Sequence, residues 1–218
     1  MAKRIFDIVF SIVALIILSP LFVAASVIIK LDSKGPVFFL QERVGRNFRP
    51  FKIYKFRSMR ADVKRKGALI TIGGDQRITR FGRVLRRYKM DELPQLLNVL
   101  KGDMSLVGPR PEVRRYVRIY KEEYSHLLRM RPGITDPASI KFSEEERVLA
   151  GTADWEEDYV RRILPEKIRL SLRYAEKNSL LTDLKIIFQT FFRITRTDRH
   201  HLRAAETQKN ERKSESYL

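Results

Sequence analysis

Ile5 to Ile29 is a long apolar run, interrupted only by Asp7, Ser11, Ser19, Pro20 and Ser26. No other feature constrains the fold as strongly. As a straight helix, at roughly 1.5 Å per residue, the run would exceed the ~30 Å hydrocarbon core of a bilayer. Ser19-Pro20 sits near its middle, however. Proline removes a helix hydrogen bond and clashes with the preceding turn. Three structures are compatible with this pattern. In a cleaved signal peptide, Lys3 and Arg4 would be the basic start and Ala24-Ala25 the small residues near the end; cleavage would then export a very basic domain, against the positive-inside tendency. A spanning helix that tolerates its proline is the second. The third is a re-entrant hairpin. Both flanks are basic, with Lys3 and Arg4 before and Lys30, Lys34, Arg43 and Arg46 after. If both flanks stay on the cytoplasmic side, the segment enters and leaves by one face, and Ser19 is placed to satisfy a carbonyl opened at the bend. The hairpin is the reading followed here, with residues 1–34 as the anchor.

Charge narrows the partners. Forty-four Lys and Arg against 26 Asp and Glu leave a formal +18. Residues 41–89 alone hold 16 basic and three acidic side chains. Such a segment attracts phosphate as nucleotide, nucleic acid or anionic headgroup. With no cysteine, disulfide and thiol chemistry are excluded. His126, His200 and His201 are too scattered for a histidine metal site. Gly73-Gly74 is not followed by Gly-Lys-Ser/Thr, so no Walker loop is present.

The remaining periodicities predict a small α+β domain. Val37–Leu40 and Phe51–Phe56 read as two strands of a hairpin turning through Gly45–Pro50. Residues 61–76 read as a glycine-containing loop, and Phe81–Tyr88 as a helix. Asp91 is expected to cap a helix whose first turn holds Pro94 and whose apolar face is Leu93, Leu96, Leu97 and Leu100, ending at Gly102. Val113–Met130 reads as one helix stopped by Pro132-Gly133. Residues 144–158 carry seven acids and one Arg, either a solvated face or a partner for the basic segment. Leu180–Ile194 is amphipathic and suits either the core or a membrane interface. Residues 35–200 form the expected catalytic domain, and 201–218 a polar, disordered tail. The fold expected is thus a re-entrant helix-break-helix, then a mainly helical domain with a short β-hairpin and amphipathic interfacial helices.

Asp91-Glu92 is the chemical focus. The ordinary reading is an N-cap and a first-turn acid. The alternative is that a carboxylate at a helix N-terminus stays ionised and acts as a nucleophile, while nearby backbone N–H groups bind phosphate. Arg86, Arg87 and Lys89 lie just upstream, and Arg110 stands between Pro109 and Pro111. An arginine on so restricted a backbone meets phosphate bidentately with little ordering cost. On a helix surface, one of Arg86 and Arg87 should instead face solvent. Phosphoryl transfer needs charge neutralisation and alignment, which these cations and a carboxylate-held Mg2+ would supply.

The blocks Gln41-Glu42-Arg43-Val44-Gly45, Lys55-Phe56-Arg57-Ser58-Met59, Asp91-Glu92-Leu93-Pro94-Gln95, Lys101-Gly102-Asp103-Met104-Ser105 and Gly108-Pro109-Arg110-Pro111 occur in that order. Together with Ser19-Pro20 as a helix break, they resemble the bacterial sugar transferase family, the small monotopic polyprenyl-phosphate phosphoglycosyl transferases. The resemblance runs from about residue 2 to 135 and more weakly to about 195. It implies a ping-pong reaction at the cytoplasmic face of a bacterial inner membrane, in surface-glycan assembly. Asp91 would attack a nucleotide diphosphate sugar, such as a UDP-sugar, and release the nucleoside monophosphate. Polyprenyl phosphate would then attack the aspartyl phosphosugar. Glu92 would act as base or help to hold Mg2+ beside Asp91. Arg86 and Arg110 would hold phosphate, with Lys55 and Arg57 as phosphate or structural residues. Partners implied are the nucleotide sugar, the polyprenyl phosphate and anionic lipid, with a homodimer possible and no nucleic acid. Pro132-Gly133-Ile134-Thr135 continues as Asp136-Pro137-Ala138-Ser139-Ile140, where family members commonly have Gly and then Ala-Gln-Val. No sugar or base preference is therefore carried over through that loop.

Two other functions fit parts of the chain. Phe51, Tyr54 and Phe56 among basic residues could serve a nucleic-acid-binding protein, which leaves residues 5–29 unexplained. A non-catalytic membrane adaptor would use the basic segment only to bind lipid.

Overall fold

The computed structural model describes residues 1–60, 75–150 and 154–193. The expected tail and most of the loop at 61–76 lie outside these residues. The chain opens with two helices, α1 (Ala2–Ile17) and α2 (Ser19–Asp32), bent by 61° at Leu18. Pro20 lies in the first turn of α2, where its missing N–H is tolerated. The Ser19 hydroxyl donates to the Ile16 carbonyl at 2.8 Å, the acceptor that a residue-20 N–H would have used.

The amphipathicity of α1 is inverted. Its buried residues are Asp7 and Ser11, while Ile5, Val9, Phe10, Ile12, Val13, Ile16 and Ile17 are exposed. Helical spacing places Lys3, Asp7, Ser11 and Ala14 on one inward stripe. That stripe is pinned by polar bonds. Arg4 donates to the Val99 and Leu100 carbonyls at 2.7 and 3.2 Å. Asp7 accepts from the Ser105 hydroxyl at 2.8 Å and the Leu106 N–H at 3.2 Å. Lys3 reaches the Val107 carbonyl at 3.0 Å and pairs with Asp183.

Strands β1 (Phe38–Val44) and β2 (Pro50–Phe56) form the expected antiparallel hairpin, with Gln41 opposite Ile53. β1 runs four residues beyond the apolar run that announced it, because Glu42 and Arg43 find partners at the sheet edge. Helix α3 (Arg80–Arg87) is capped by Thr79, whose hydroxyl accepts from the Gly82 N–H at 2.9 Å. It packs with α2 around Ala25, Ile29, Phe56 and Leu85.

Asp91 does not cap a helix. Lys89 adopts a left-handed backbone (φ 55°), Met90–Glu92 forms a 3-10 turn, and α4 (Gln95–Lys101) begins only after Pro94. The Glu92 and Leu93 N–H groups bond to the Lys89 and Met90 carbonyls. They are therefore engaged within the turn rather than presented to an anion. Gly102 (φ 90°) ends α4 as expected.

A short parallel pair follows, β3 (Ser105–Val107) with β4 (Gly133–Thr135). The two backbones touch here. A Cβ on Gly133 would lie 2.0 Å from the Gly108 nitrogen, so glycine is required. Between these strands the predicted single helix is broken at Tyr120 into α5 (Arg114–Ile119) and α6 (Lys121–Leu127). The Tyr120 hydroxyl bonds to the Val160 carbonyl at 2.9 Å. The break turns Tyr116 and Val117 on one side, and Tyr124 and Leu127 on the other, into a single core.

Helices α7 (Pro137–Lys141), α8 (Glu145–Ala150), α9 (Trp155–Asp158) and α10 (Leu164–Glu176) complete that core, with a π-helical turn over Tyr159–Ile163. They fall where the sequence offers charge rather than apolar period. The acids of 144–158 pair with Arg115, Arg161, Arg162, Lys167 and Arg193. A last helix, α11, covers residues 180–193. Asp183 and Ile186 face inward, while Leu181, Leu184, Phe188, Phe191 and Phe192 are exposed.

Candidate functional site

The side chains of the Asp91-Glu92 turn meet cations from three separate parts of the chain. β2 supplies Lys55, because the buried Asn98 of α4 stitches that strand to the helix. Its Oδ1 accepts the Tyr54 N–H at 2.9 Å and its amide donates to the Lys52 carbonyl at 2.8 Å. The loop after β3 supplies Arg110. That loop is held by the Gly108 N–H on the Thr135 carbonyl and the Gly133 N–H on the Pro109 carbonyl, both 3.0 Å. Helix α3 supplies Arg86, half-buried on its inward side, while Arg87 is exposed.

Glu92 lies at the centre. Its Oε1 accepts from Lys55 Nζ at 2.9 Å and from Arg110 Nη2 at 2.5 Å; its Oε2 accepts from Arg110 Nη1 at 3.1 Å. This is the bidentate fork that arginine is built for. Burial alone would raise the Glu92 carboxyl, but the Arg110 and Lys55 charges outweigh it and hold it well below the usual range.

Asp91 differs from its neighbour in every respect. It is 6% exposed, and its Oδ1 has no hydrogen-bond partner among the described residues. Burial pushes its carboxyl up; Lys55 opposes this, and the negative Glu92 adds to it. A helix N-terminus keeping Asp91 ionised is therefore not what its surroundings provide. The surroundings are nonetheless not apolar packing. Asp91, Glu92, Lys55, Arg86, Lys89 and Arg110 line one cavity of about 930 Å³.

The cavity has two kinds of wall. One is this charged cluster, extended by Arg57, Arg60 and Arg77. The other is apolar and includes Phe10, Ala14 and Leu18 of the bent helix pair, with Ile187 and Phe191 of α11. An anionic group and a hydrocarbon chain could thus lie in one space. Arg57 is divided between two tasks. Its Nη2 caps the end of α2 on the Ile29 and Ser33 carbonyls at 3.1 and 2.5 Å, while its Nε and Nη1 are buried without hydrogen-bond partners among the described residues.

The residues expected at the site from sequence, Asp91, Glu92, Arg86, Arg110, Lys55 and Arg57, all line the cavity; Ser19 and Pro20 do not, and form the helix break. Sequence reasoning missed Arg43, Glu112, Tyr159 and Lys167, which also line it. Glu112 follows Pro109-Arg110-Pro111 directly, and that adjacency was an available signal. Sequence reasoning also gave Asp7 no role, although an acid inside an apolar run is itself a signal. No group of three or more His, Cys, Asp or Glu positioned for a metal occurs among the described residues. The aromatic residues do not form a stacking platform for bases. Phe56 is in the core with Ala25, Ile29 and Leu85, Phe51 packs against a second cluster that includes Leu96 and Val99, and Lys101 lies 4.4 Å over the Tyr54 ring.

The family model for bacterial sugar transferases matches residues 1–197. A UDP-N-acetylgalactosamine-undecaprenyl-phosphate N-acetylgalactosaminephosphotransferase of Aeromonas hydrophila is 43% identical over 86% of this chain and 42% of its own length. An undecaprenyl-phosphate glucose phosphotransferase of Komagataeibacter xylinus is 43% identical over 88% of this chain and 35% of its own. An exopolysaccharide production protein of Rhizobium leguminosarum bv. phaseoli is 44% identical over 86% and 92% respectively. The chain thus spans about two fifths of the first relative and a third of the second, and nearly all of the third. The chain belongs to the bacterial sugar transferase family.

Proposed function

We propose that this bacterial sugar transferase moves a sugar-1-phosphate from a nucleotide diphosphate sugar, a UDP-sugar by analogy with its relatives, to polyprenyl phosphate. The observation that carries the reading is Asp91, which lines a cavity walled by cations on one side and by the bent helix pair on the other and whose Oδ1 accepts no hydrogen bond among the described residues. Asp91 is the nucleophile. A carboxylate oxygen of Asp91 forms a bond to the sugar-bearing phosphorus, and the bond to the bridging oxygen breaks, releasing nucleoside monophosphate. The lipid phosphate oxygen then attacks the aspartyl phosphosugar, giving polyprenyl-diphosphate sugar and regenerating the carboxylate. Arg110, Lys55 and Arg86 neutralise the phosphates. Glu92 orients Arg110 and Lys55.

The residues fit Mg2+ through Asp91. Mg2+ is commonly held by one or two carboxylates, with substrate phosphate oxygens and water completing the shell. The Asp91 Oδ1 accepts no hydrogen bond among the described residues, whereas both oxygens of Glu92 are engaged by cations. When bound, Mg2+ would supply further neutralisation of the diphosphate.

The anchor is re-entrant on this reading, and the site sits at the cytoplasmic membrane face. Neither helix is long and apolar enough to cross alone; α1, at 16 residues, is about 24 Å long. Both ends of the pair are tied to the same body, the start of α1 through Lys3 and Arg4 and the end of α2 through Arg57. Residues 1–34 are the anchor and 35–200 the catalytic domain. The test uses purified protein in lipid nanodiscs, a panel of UDP-sugars and polyprenyl phosphate, with release of nucleoside monophosphate as the readout. Asp91→Asn is expected to abolish both turnover and covalent labelling by the sugar donor; labelling that survives the substitution removes Asp91 as nucleophile.

A further inference from the structure

The site as described leaves unexplained how Arg110 is aimed. Its side chain is 30% exposed and projects from a loop, yet it meets Glu92 as a two-pronged fork. Ahead of it, the loop is stitched to β4 through Gly108 and Pro109. Behind it stands Glu112, 7% exposed and fully engaged. The Glu112 Oε1 accepts the Tyr159 hydroxyl at 2.6 Å. The Oε2 accepts Arg43 Nη1 and the Val113 N–H, both at 3.3 Å. Its backbone carbonyl accepts the Val44 N–H at 3.0 Å. One carboxylate therefore joins the Arg110 loop to β1 and to the π-helical turn. Behind Tyr159, Lys167 reaches the hydroxyl at 3.4 Å and Glu145 at 2.7 Å. π-Helical turns often mark functional positions. Tyr159, 1% exposed, opens this one.

Buried ionic networks of this kind are poor sources of stability but good determinants of geometry. We propose that Glu112, gripped by Arg43 from the β-hairpin and by Tyr159 from the π-helical turn, is the positioning residue that fixes the Arg110 loop and aims the guanidinium at Glu92 and the cavity. Glu112 does not touch the reacting phosphates. It acts through Arg110. The inference rests on the phosphosugar-transfer reading.

Glu112→Ala would remove the ion pair of Arg43 and leave the Tyr159 hydroxyl without its acceptor in the core, and a misfolded variant would say nothing. Tyr159→Phe is the milder probe: it removes one hydrogen bond and keeps the ring. The experiment measures kcat/KM for the UDP-sugar in nanodiscs, with Tyr159→Phe made in the native chain and in an Arg110→Lys chain. Lysine presents a rotatable point charge with no fork to aim. In the native background the loss is expected to be about tenfold, as for a hydrogen bond to a charged group. In the Arg110→Lys background it is expected to shrink to less than about twofold, the non-additivity of coupled residues. Equal losses in the two backgrounds, or no loss in the native one, overturn the proposal. Asp91→Asn run alongside separates the two levels. If it stays active, the transfer mechanism fails; if it is dead while Tyr159→Phe is additive, only the positioning role fails.

Discussion

Asp91 and Glu92 are adjacent in sequence and opposite in electrostatics. Arg110 and Lys55 hold Glu92 ionised, while burial raises Asp91. Neighbouring carboxylates pushed apart in this way are a common sign of divided catalytic roles. The sign has a consequence for stability. For a carboxylate whose folded pKa lies above its unfolded value, ionisation opposes folding; the penalty grows from the unfolded pKa upward and is complete above the raised one. Asp91→Asn is therefore expected to stabilise the protein at neutral pH, by on the order of 1 kcal/mol, as when a strained site is relieved. Thermal unfolding against pH should show that gain shrinking as pH falls through the Asp91 pKa, where both side chains are neutral. A variant that is less stable than the native chain at pH 7 contradicts this account. The identity of the pair was legible in the sequence because Asp-Glu sits beside an arginine-rich helix and a Pro-Arg-Pro loop. Its backbone was not. The left-handed Lys89 delays the helix and turns the expected cap into a 3-10 turn, and no residue pattern marks a lysine for that conformation.

Among elements, the bent pair of α1 and α2 carries the most information. Ser19-Pro20 predicted the break, and the Ser19 hydroxyl meets the carbonyl that proline leaves open. Replacing both by alanine should let residues 2–32 continue as one helix of roughly 46 Å, long enough to span. The chain has no cysteine, so Lys34→Cys gives a unique probe. With the native break, Lys34→Cys should react with impermeant reagent only from the cytoplasmic side. In the Ser19→Ala/Pro20→Ala chain it should become reactive from the other side, and an unchanged pattern argues against the break as the determinant of topology. The other end of α1 depends on Asp7. Asp7→Ala strips the Ser105 hydroxyl and the Leu106 N–H of a buried acceptor. A loss of about 2–4 kcal/mol is expected in thermal unfolding. Asp7→Asn keeps an acceptor oxygen and should lose less. Legibility fell off where packing sets the element. The break at Tyr120 divides a sequence that is helical on both sides, because the core needs both faces turned toward it.

At the scale of the molecule, the exposed apolar side chains of α1, α2 and α11 stand out: Ile17, Leu31 and Leu181 are 69%, 82% and 80% exposed. Exposed apolar side chains concentrated on three helices point to a site of contact with lipid or a partner. Together with the formal +18, they favour an anionic membrane surface. Phe188 and Phe191 of α11, 63% and 66% exposed, lie outside the core. Phe188→Glu with Phe191→Glu should weaken co-sedimentation with anionic vesicles at least about tenfold while leaving the circular dichroism unchanged. Retained vesicle binding would mean that α11 does not contribute. The sequence alone determined the breaking of the anchor, the hairpin, the basic segment and the acid pair with its cations, because proline geometry, alternation and charge are local properties of neighbouring residues. Only the tertiary structure decided which way the apolar face of α11 points, that α1 buries its polar stripe, and that Glu112 and Tyr159 stand behind Arg110. Those outcomes depend on which surfaces meet across more than forty residues of chain, and a period or a charge count carries no information about its partner.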